Sequence, residues 1–304
     1  MKGKDRFLVL KDQITFDLRQ AEILSAQGKF YQANKLLKKC YRQKKNFRIN
    51  YLLFSNFLAL KDYSMAVATA EEYLTAYVAD NDYLKQLFLA MGKAALFLKM
   101  RKLFIYFEQY MNQSEKSLFR RMIDQAEKQA NQQFTSLCQS QSKKISFWPV
   151  PAQRQLVEKI LHLPLADFLV LSKRIMAMRT VHPLVKSELL DNLRALKIQT
   201  KYNLSFLNGK NIMVIPSELH DFKNSKLRKQ FAVYFSHFSD QQLANLQKKE
   251  VFLKLQLLYP FEDRIAKFDH NWLAIFLGKK DELAEKDQKD WCLLLETYLS
   301  EWNI

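Results

Sequence analysis

Glycine and proline are scarce in this chain, five and six among 304 residues. So few turn-formers exclude a sandwich or barrel assembled from many short strands, and they favour helices. They also leave few loops able to cradle a phosphate, and neither GxGxxG nor GxxxxGKS/T occurs. Cysteine is rare too. Cys40, Cys138 and Cys292 are odd in number and far apart, which excludes a disulfide framework and fits a reducing cytoplasm. The five histidines, His162, His182, His220, His237 and His270, include no i, i+4 pair, and CxxC, HExxH and GxSxG are all missing. The expectation is therefore no metal, no cofactor and no catalytic residue. Long apolar runs are missing as well. The longest uncharged apolar stretch, Ile49 to Leu60, is twelve residues, too short to span a bilayer. The opening Met1-Lys2-Gly3-Lys4-Asp5-Arg6 is basic, but only four apolar residues precede Lys11, short of a secretory signal. A cytoplasmic protein without membrane contact is expected.

Acidic residues are missing where it matters most. None lies between Glu22 and Asp62, a gap that holds Lys29, Lys35, Lys38, Lys39, Arg42, Lys44, Lys45, Arg48 and Lys61. The formal charge of +17 is skewed accordingly: residues 1–150 carry 25 Lys/Arg against 13 Asp/Glu, the remainder 23 against 18. A field of one sign attracts polyanions. A solvated outer helix face is the plainer reading of the same run.

What is present is a helical hairpin written twice, thirty-three residues apart, between residues 15 and 78. Gly28-Lys29-Phe30-Tyr31-Gln32-Ala33 opens the second helix of the first copy, and Lys61-Asp62-Tyr63-Ser64-Met65-Ala66 does so in the second. Ala21, Ala33, Cys40, Ala66 and Ala70 place small side chains where paired helices cross, which permits close approach. Such a unit cannot bury its apolar face alone and must stack on neighbours. A third copy is faint: Phe88, Met91 and Gly92 fit a leading helix, with Arg101 to Asn112 following. Ser114 to Gln141 reads as one long polar helix, capped by Ser114, that closes the stack. The stiff Trp148-Pro149-Val150-Pro151 follows, and the domain boundary is placed near residue 146, between a helical-repeat domain (1–146) and a second domain (147–304).

The second domain reads as helices over 152–163, 165–178, 183–196, 225–235, 240–258, 271–277 and 282–302. They are interrupted by one β signal at 202–215. Asn208-Gly209 predicts a two-residue type I′ turn, with 207 opposite 210. That register puts Tyr202, Leu204, Phe206, Met213 and Ile215 on one face and Leu207, Ile212 and Val214 on the other. A packing flap is its plainest role. The nearest approach to an acid/base group is Glu262-Asp263 with Asp269 and His270, residues of a type more often found solvated in turns. The fold class expected is thus mainly α: a stack of antiparallel helical hairpins, then a helical module with one small β-hairpin.

Two surfaces remain for binding. The repeat register points Leu18, Glu22 and Ser25 inward from the first copy, and Arg48, Tyr51 and Ser55 from the second, where a peptide or helix of another protein would lie. Lys35, Lys38, Lys39 and Arg42 follow i, i+3, i+4, i+7 on one helix face, where RNA or another polyanion would bind. The acidic last helix, with Asp287, Asp290, Glu296 and Glu301, raises a homodimer as a further expectation. His182-Pro183-Leu184-Val185-Lys186-Ser187-Glu188-Leu189-Leu190, then Val214-Ile215-Pro216-Ser217-Glu218-Leu219 and Leu258-Tyr259-Pro260-Phe261, complete a chain that resembles tetratricopeptide-repeat-like cytoplasmic proteins of low-GC Gram-positive bacteria. The resemblance implies a helical-repeat protein used for protein contacts, and it carries over no catalytic residue.

Overall fold

The computed structural model describes residues 2–283 and 285–302, with side chains from Gln13 onward. The chain is mainly helical, and one two-stranded antiparallel sheet is its only sheet among the described residues. It divides into two compact units, residues 1–130 and 131–304.

The first unit is a run of hairpins. Helix α1 (Lys2–Ala26) pairs with α2 (Phe30–Gln43), and α3 (Phe47–Ala59) with α4 (Tyr63–Glu71), after which the chain kinks into α5 (Leu74–Val78). A third hairpin, α6 (Asn81–Lys93) and α7 (Phe97–Phe107), precedes α8 (Gln113–Lys128), which packs on both of its helices. All three hairpins turn the same way. Gly28, Lys61 and Ala95 take left-handed φ values of 74°, 59° and 54°. The following amides of Lys29, Asp62 and Leu96 donate back to the carbonyls of Leu24, Phe57 and Met91, each at 2.9 Å. This is the six-to-one bond of a Schellman cap, and it satisfies carbonyls that the helix end would orphan. The third copy, faint in sequence, therefore has the same turn as the other two.

Small residues set the crossings as expected. Ala21, Ala33, Cys40, Ala66 and Ala70 are fully buried. Gly92 lets α6 approach α8, since a Cβ there would stand 2.9 Å from that of Ala126. Asn46, Asp62, Asp80 and Asn112 cap the helices that follow them. Asn112, rather than Ser114, begins α8, because Glu115 reaches back to its amide and completes a capping box.

The expected single helix over 114–141 is two helices. It ends at Lys128, and Asn131 caps a new one, α9 (Gln132–Ser142), by accepting from Gln133 N and Phe134 N. Helix α9 packs on α10 (Val150–Ile160) and α11 (Leu165–Ala177), so the compact units divide at Ala130 and Asn131 rather than near 146. Cys138 is buried on that face. Burial pushes the pKa of its thiol up.

In the second unit α12 (Pro183–Ala195) is the most enclosed helix, with Leu184, Val185, Leu189, Leu190 and Leu193 all buried. Pro183 occupies its first turn. Strands β1 (Tyr202–Ser205) and β2 (Asn211–Val214) pack through β1 on α11. Helices α13 (Lys226–Ser236) and α14 (Gln241–Leu258) lie side by side, and α14 also packs on α12, on the short α15 (Glu262–Ile265), on α16 (His270–Phe276) and on α17 (Lys286–Trp302).

The hairpin register differs from expectation by one residue. Leu204 stands opposite Ile212 and Asn203 opposite Met213. The turn is a three-residue loop in which Gly209 N donates to Phe206 O at 2.9 Å, Phe206 N donates to Lys210 O at 2.8 Å, and Gly209 sits at φ 74°. A type I turn ending in a left-handed glycine is the common three-residue hairpin. The slip reverses the faces of β2: Val214 turns in and Met213 turns out, 61 % exposed. Burial of Leu207 in the loop favours this arrangement over the shorter turn.

Candidate interaction surface

The six residues expected to point inward from α1 and α3 are drawn together, and most are used in joining helices. Arg48 Nη2 meets Glu22 Oε1 at 2.6 Å. Ser25 Oγ donates to the carbonyl of Ala21 and accepts from Asn56 Nδ2. Tyr51 donates its hydroxyl to Gln86 Oε1 at 3.2 Å, and its ring lies among Phe47, Phe54, Tyr77 and Tyr83. Leu18 packs half-buried on the core, and Ser55 is half-buried on α3. Hydroxyls with bonded oxygens and a paired guanidinium offer less to a ligand than free ones.

The basic run is likewise divided. Lys39 Nζ lies 2.7 Å from Asp17 Oδ2, and this bond holds the nearly buried Asp17 carboxyl below the usual range despite the opposing effect of burial. Lys45 reaches Glu72, and Arg48 reaches Glu22. Lys35, Lys38 and Arg42 make no ion pair among the described residues.

Lys35 and Lys38 instead line an open groove of about 490 Å³ beside α2, completed by Tyr31, by Phe57 of α3, by Leu60 in the turn after it and by Met65 of α4. Lys38 Nζ stands 5.4 Å from the centre of the Phe57 ring, within reach of its quadrupole. Tyr31 and Met65 are 79 % and 42 % exposed. Asp62 is the one acidic lining residue, and it caps α4 through Met65 N. Asn34 is buried and lines the same groove; its Oδ1 accepts from Asn56 Nδ2, while its own Nδ2 is buried with no acceptor among the described residues. A buried donor left open is costly. Sequence pattern places the two lysines here. It misses Asn34, Phe57 and Met65, whose only signal is their position just beside the repeated turn.

The acidic residues near 262 are dispersed to structural work. Asp263 accepts from Lys226 N, Leu227 N and Ser225 Oγ at the start of α13, and these bonds hold its pKa down against burial. Asp269 caps α16. Glu262 is fully buried, its pKa raised by burial, and its Oε1 lies 2.6 Å from His220 Nε2. Lys186, buried in α12, donates to the carbonyl of Ser205 at 2.8 Å, and burial pushes its pKa down to about 8. The space beside it is only about 10 Å³, room for a water and not for a substrate.

Compared with protein families, with curated proteins and with solved structures, the chain finds no match. No helix among the described residues is long and apolar enough to cross a membrane.

Proposed function

We propose that this protein is a non-catalytic interaction adaptor of the cytoplasm, whose stacked hairpins act in the manner of tetratricopeptide repeats and hold a segment of another protein. One observation carries the reading: the groove beside α2 joins two ammonium groups without ion-pair partners among the described residues to exposed Tyr31 and Met65. Acidic side chains flanking an apolar anchor would pair with the ammonium groups and cover the exposed side chains. The inward face of α1 and α3 supports the site by rigidity, since Glu22–Arg48 and Ser25–Asn56 fasten successive hairpins.

Nucleic acid on the 29–48 run is less well supported, because Lys39, Lys45 and Arg48 are already paired. The test is a comparison of partners retained by the wild type, by Lys35→Glu/Lys38→Glu and by Met65→Asp. An adaptor loses its protein partner in both variants, and nuclease treatment leaves the wild-type complex intact. Retention that disappears with nuclease, or that falls steeply as salt rises while ignoring Met65→Asp, would replace this reading by the nucleic-acid one.

A further inference from the structure

A second basic groove, in the other unit, is built differently. Along α14, beside Arg228 of α13, runs an open groove of about 390 Å³ lined by Arg228, Asn245, Lys248, Lys249, Phe252 and Gln256. The guanidinium of Arg228 is flanked by two rings, its central carbon 4.7 Å from the centre of Phe222 and 4.2 Å from that of Phe252. Lys248 Nζ stands 5.6 Å from the same Phe252 ring. Stacked rings hold a guanidinium in place and leave its N–H edge as the donor surface.

None of the three cations has a carboxylate partner among the described residues, while the acids nearby are engaged. Asp221 pairs with Arg194, Glu250 with the buried Lys254, and Asp263 with the start of α13. Three positive charges on one groove, one of them a restrained fork, exceed what a single carboxylate would neutralise. A phosphate monoester matches this set: up to two charges, three acceptor oxygens, and bidentate geometry towards arginine.

We propose that this groove binds the phosphoryl group of a small phosphorylated ligand, with Arg228 as the bidentate donor and Lys248 and Lys249 as charge partners. Arg228 and Lys248 share the Phe252 ring, whereas a nucleic-acid strand is tracked by charge along its length. The proposal is independent of the adaptor reading and of the first unit.

The full chain is titrated at constant ionic strength, set with chloride, against inorganic phosphate, adenosine monophosphate and a single-stranded oligonucleotide, with binding followed by phosphorus and amide resonance shifts. Saturable binding of phosphate and of the monophosphate is expected, weakened tenfold or more in Arg228→Lys, which keeps the charge and loses the fork, and in Lys248→Met/Lys249→Met. The lysine pair lies at the surface, so that variant stays informative if Arg228→Lys loosens the fold. Absence of saturation, equal binding by the lysine variant, or an oligonucleotide preferred a hundredfold over the monophosphate would each overturn the assignment.

Discussion

Tyr77 donates its hydroxyl to Asn50 Oδ1 at 3.0 Å, and both residues are fully buried. The amide nitrogen of Asn50 in turn donates to the carbonyl of Thr69 at 2.7 Å and lies 3.4 Å from the hydroxyl of Tyr41. Helices α2, α3, α4 and α5 therefore meet on one polar side chain, beside the packed rings of Phe47, Phe54, Tyr77 and Tyr83. Tyr77→Phe keeps the ring and leaves Oδ1 short of a donor, which costs about 1–3 kcal/mol. Hydrogen exchange should quicken across residues 47–78, and the urea midpoint of the first unit should fall. Unchanged exchange would mean that the amide oxygen had another donor.

Lys61 stands where Gly28 stands one hairpin earlier, at φ 59° against 74°. A side chain in the left-handed region is strained, and glycine is not. Lys61→Gly should stabilise the protein by about 0.5–1 kcal/mol, and Gly28→Ala should destabilise it by about 1 kcal/mol, read from urea unfolding. Nothing lies within 4 Å of a Cβ built on Gly28, so its effect is conformational alone. Equal stabilities for the three proteins would remove the strain argument.

His182 makes stability depend on pH. Its Nδ1 accepts from Leu184 N, so Nε2–H is the donor to the carbonyl of Tyr298, and the ring stacks on Trp302. Burial pushes its pKa down to about 4. The unfolded chain takes up the proton near the ordinary pKa of about 6.5 and the folded one does not. Stability is therefore full above that value and falls, by up to about 3 kcal/mol, as pH drops towards 4. His182→Asn keeps an oxygen for the Leu184 amide and should flatten the curve across that window. A slope unchanged in the variant would assign the dependence to carboxylates.

The hairpin register can be read by cross-linking. Asn203 and Met213 face each other, so Asn203→Cys/Met213→Cys should oxidise readily to a disulfide, which needs Cα atoms about 4.4–6.8 Å apart. Asn203→Cys/Val214→Cys, the pair that a two-residue turn would align, should remain reduced because its side chains point to opposite faces. Preferential oxidation of the second pair would restore the shorter turn.

The helices were legible because their signals are local. Asp240 caps α14, Pro183 opens α12, and Asn208-Gly209 marked the hairpin, each within a few residues of its partner. The third hairpin was nearly invisible, since Ala95 takes a conformation that glycine takes in the first and no composition rule reports a strained alanine. The end of α8 was hidden for a similar reason: an apolar stripe continues past Lys128, while Asn131 starts a new helix that belongs to other neighbours.

Side-chain chemistry followed another division. Which residues are charged, and that 23–61 holds no acid, was plain from the residues alone. Which of those charges are free was not, because Lys39 finds Asp17 and Arg48 finds Glu22 across helices brought together by packing. The same holds for Arg228, whose two flanking rings come from positions 222 and 252. Helical periodicity and capping act over one or two turns of chain and can be read in order. Pairing, burial and the shape of a groove depend on contacts between distant segments, and these exist only once the hairpins have stacked.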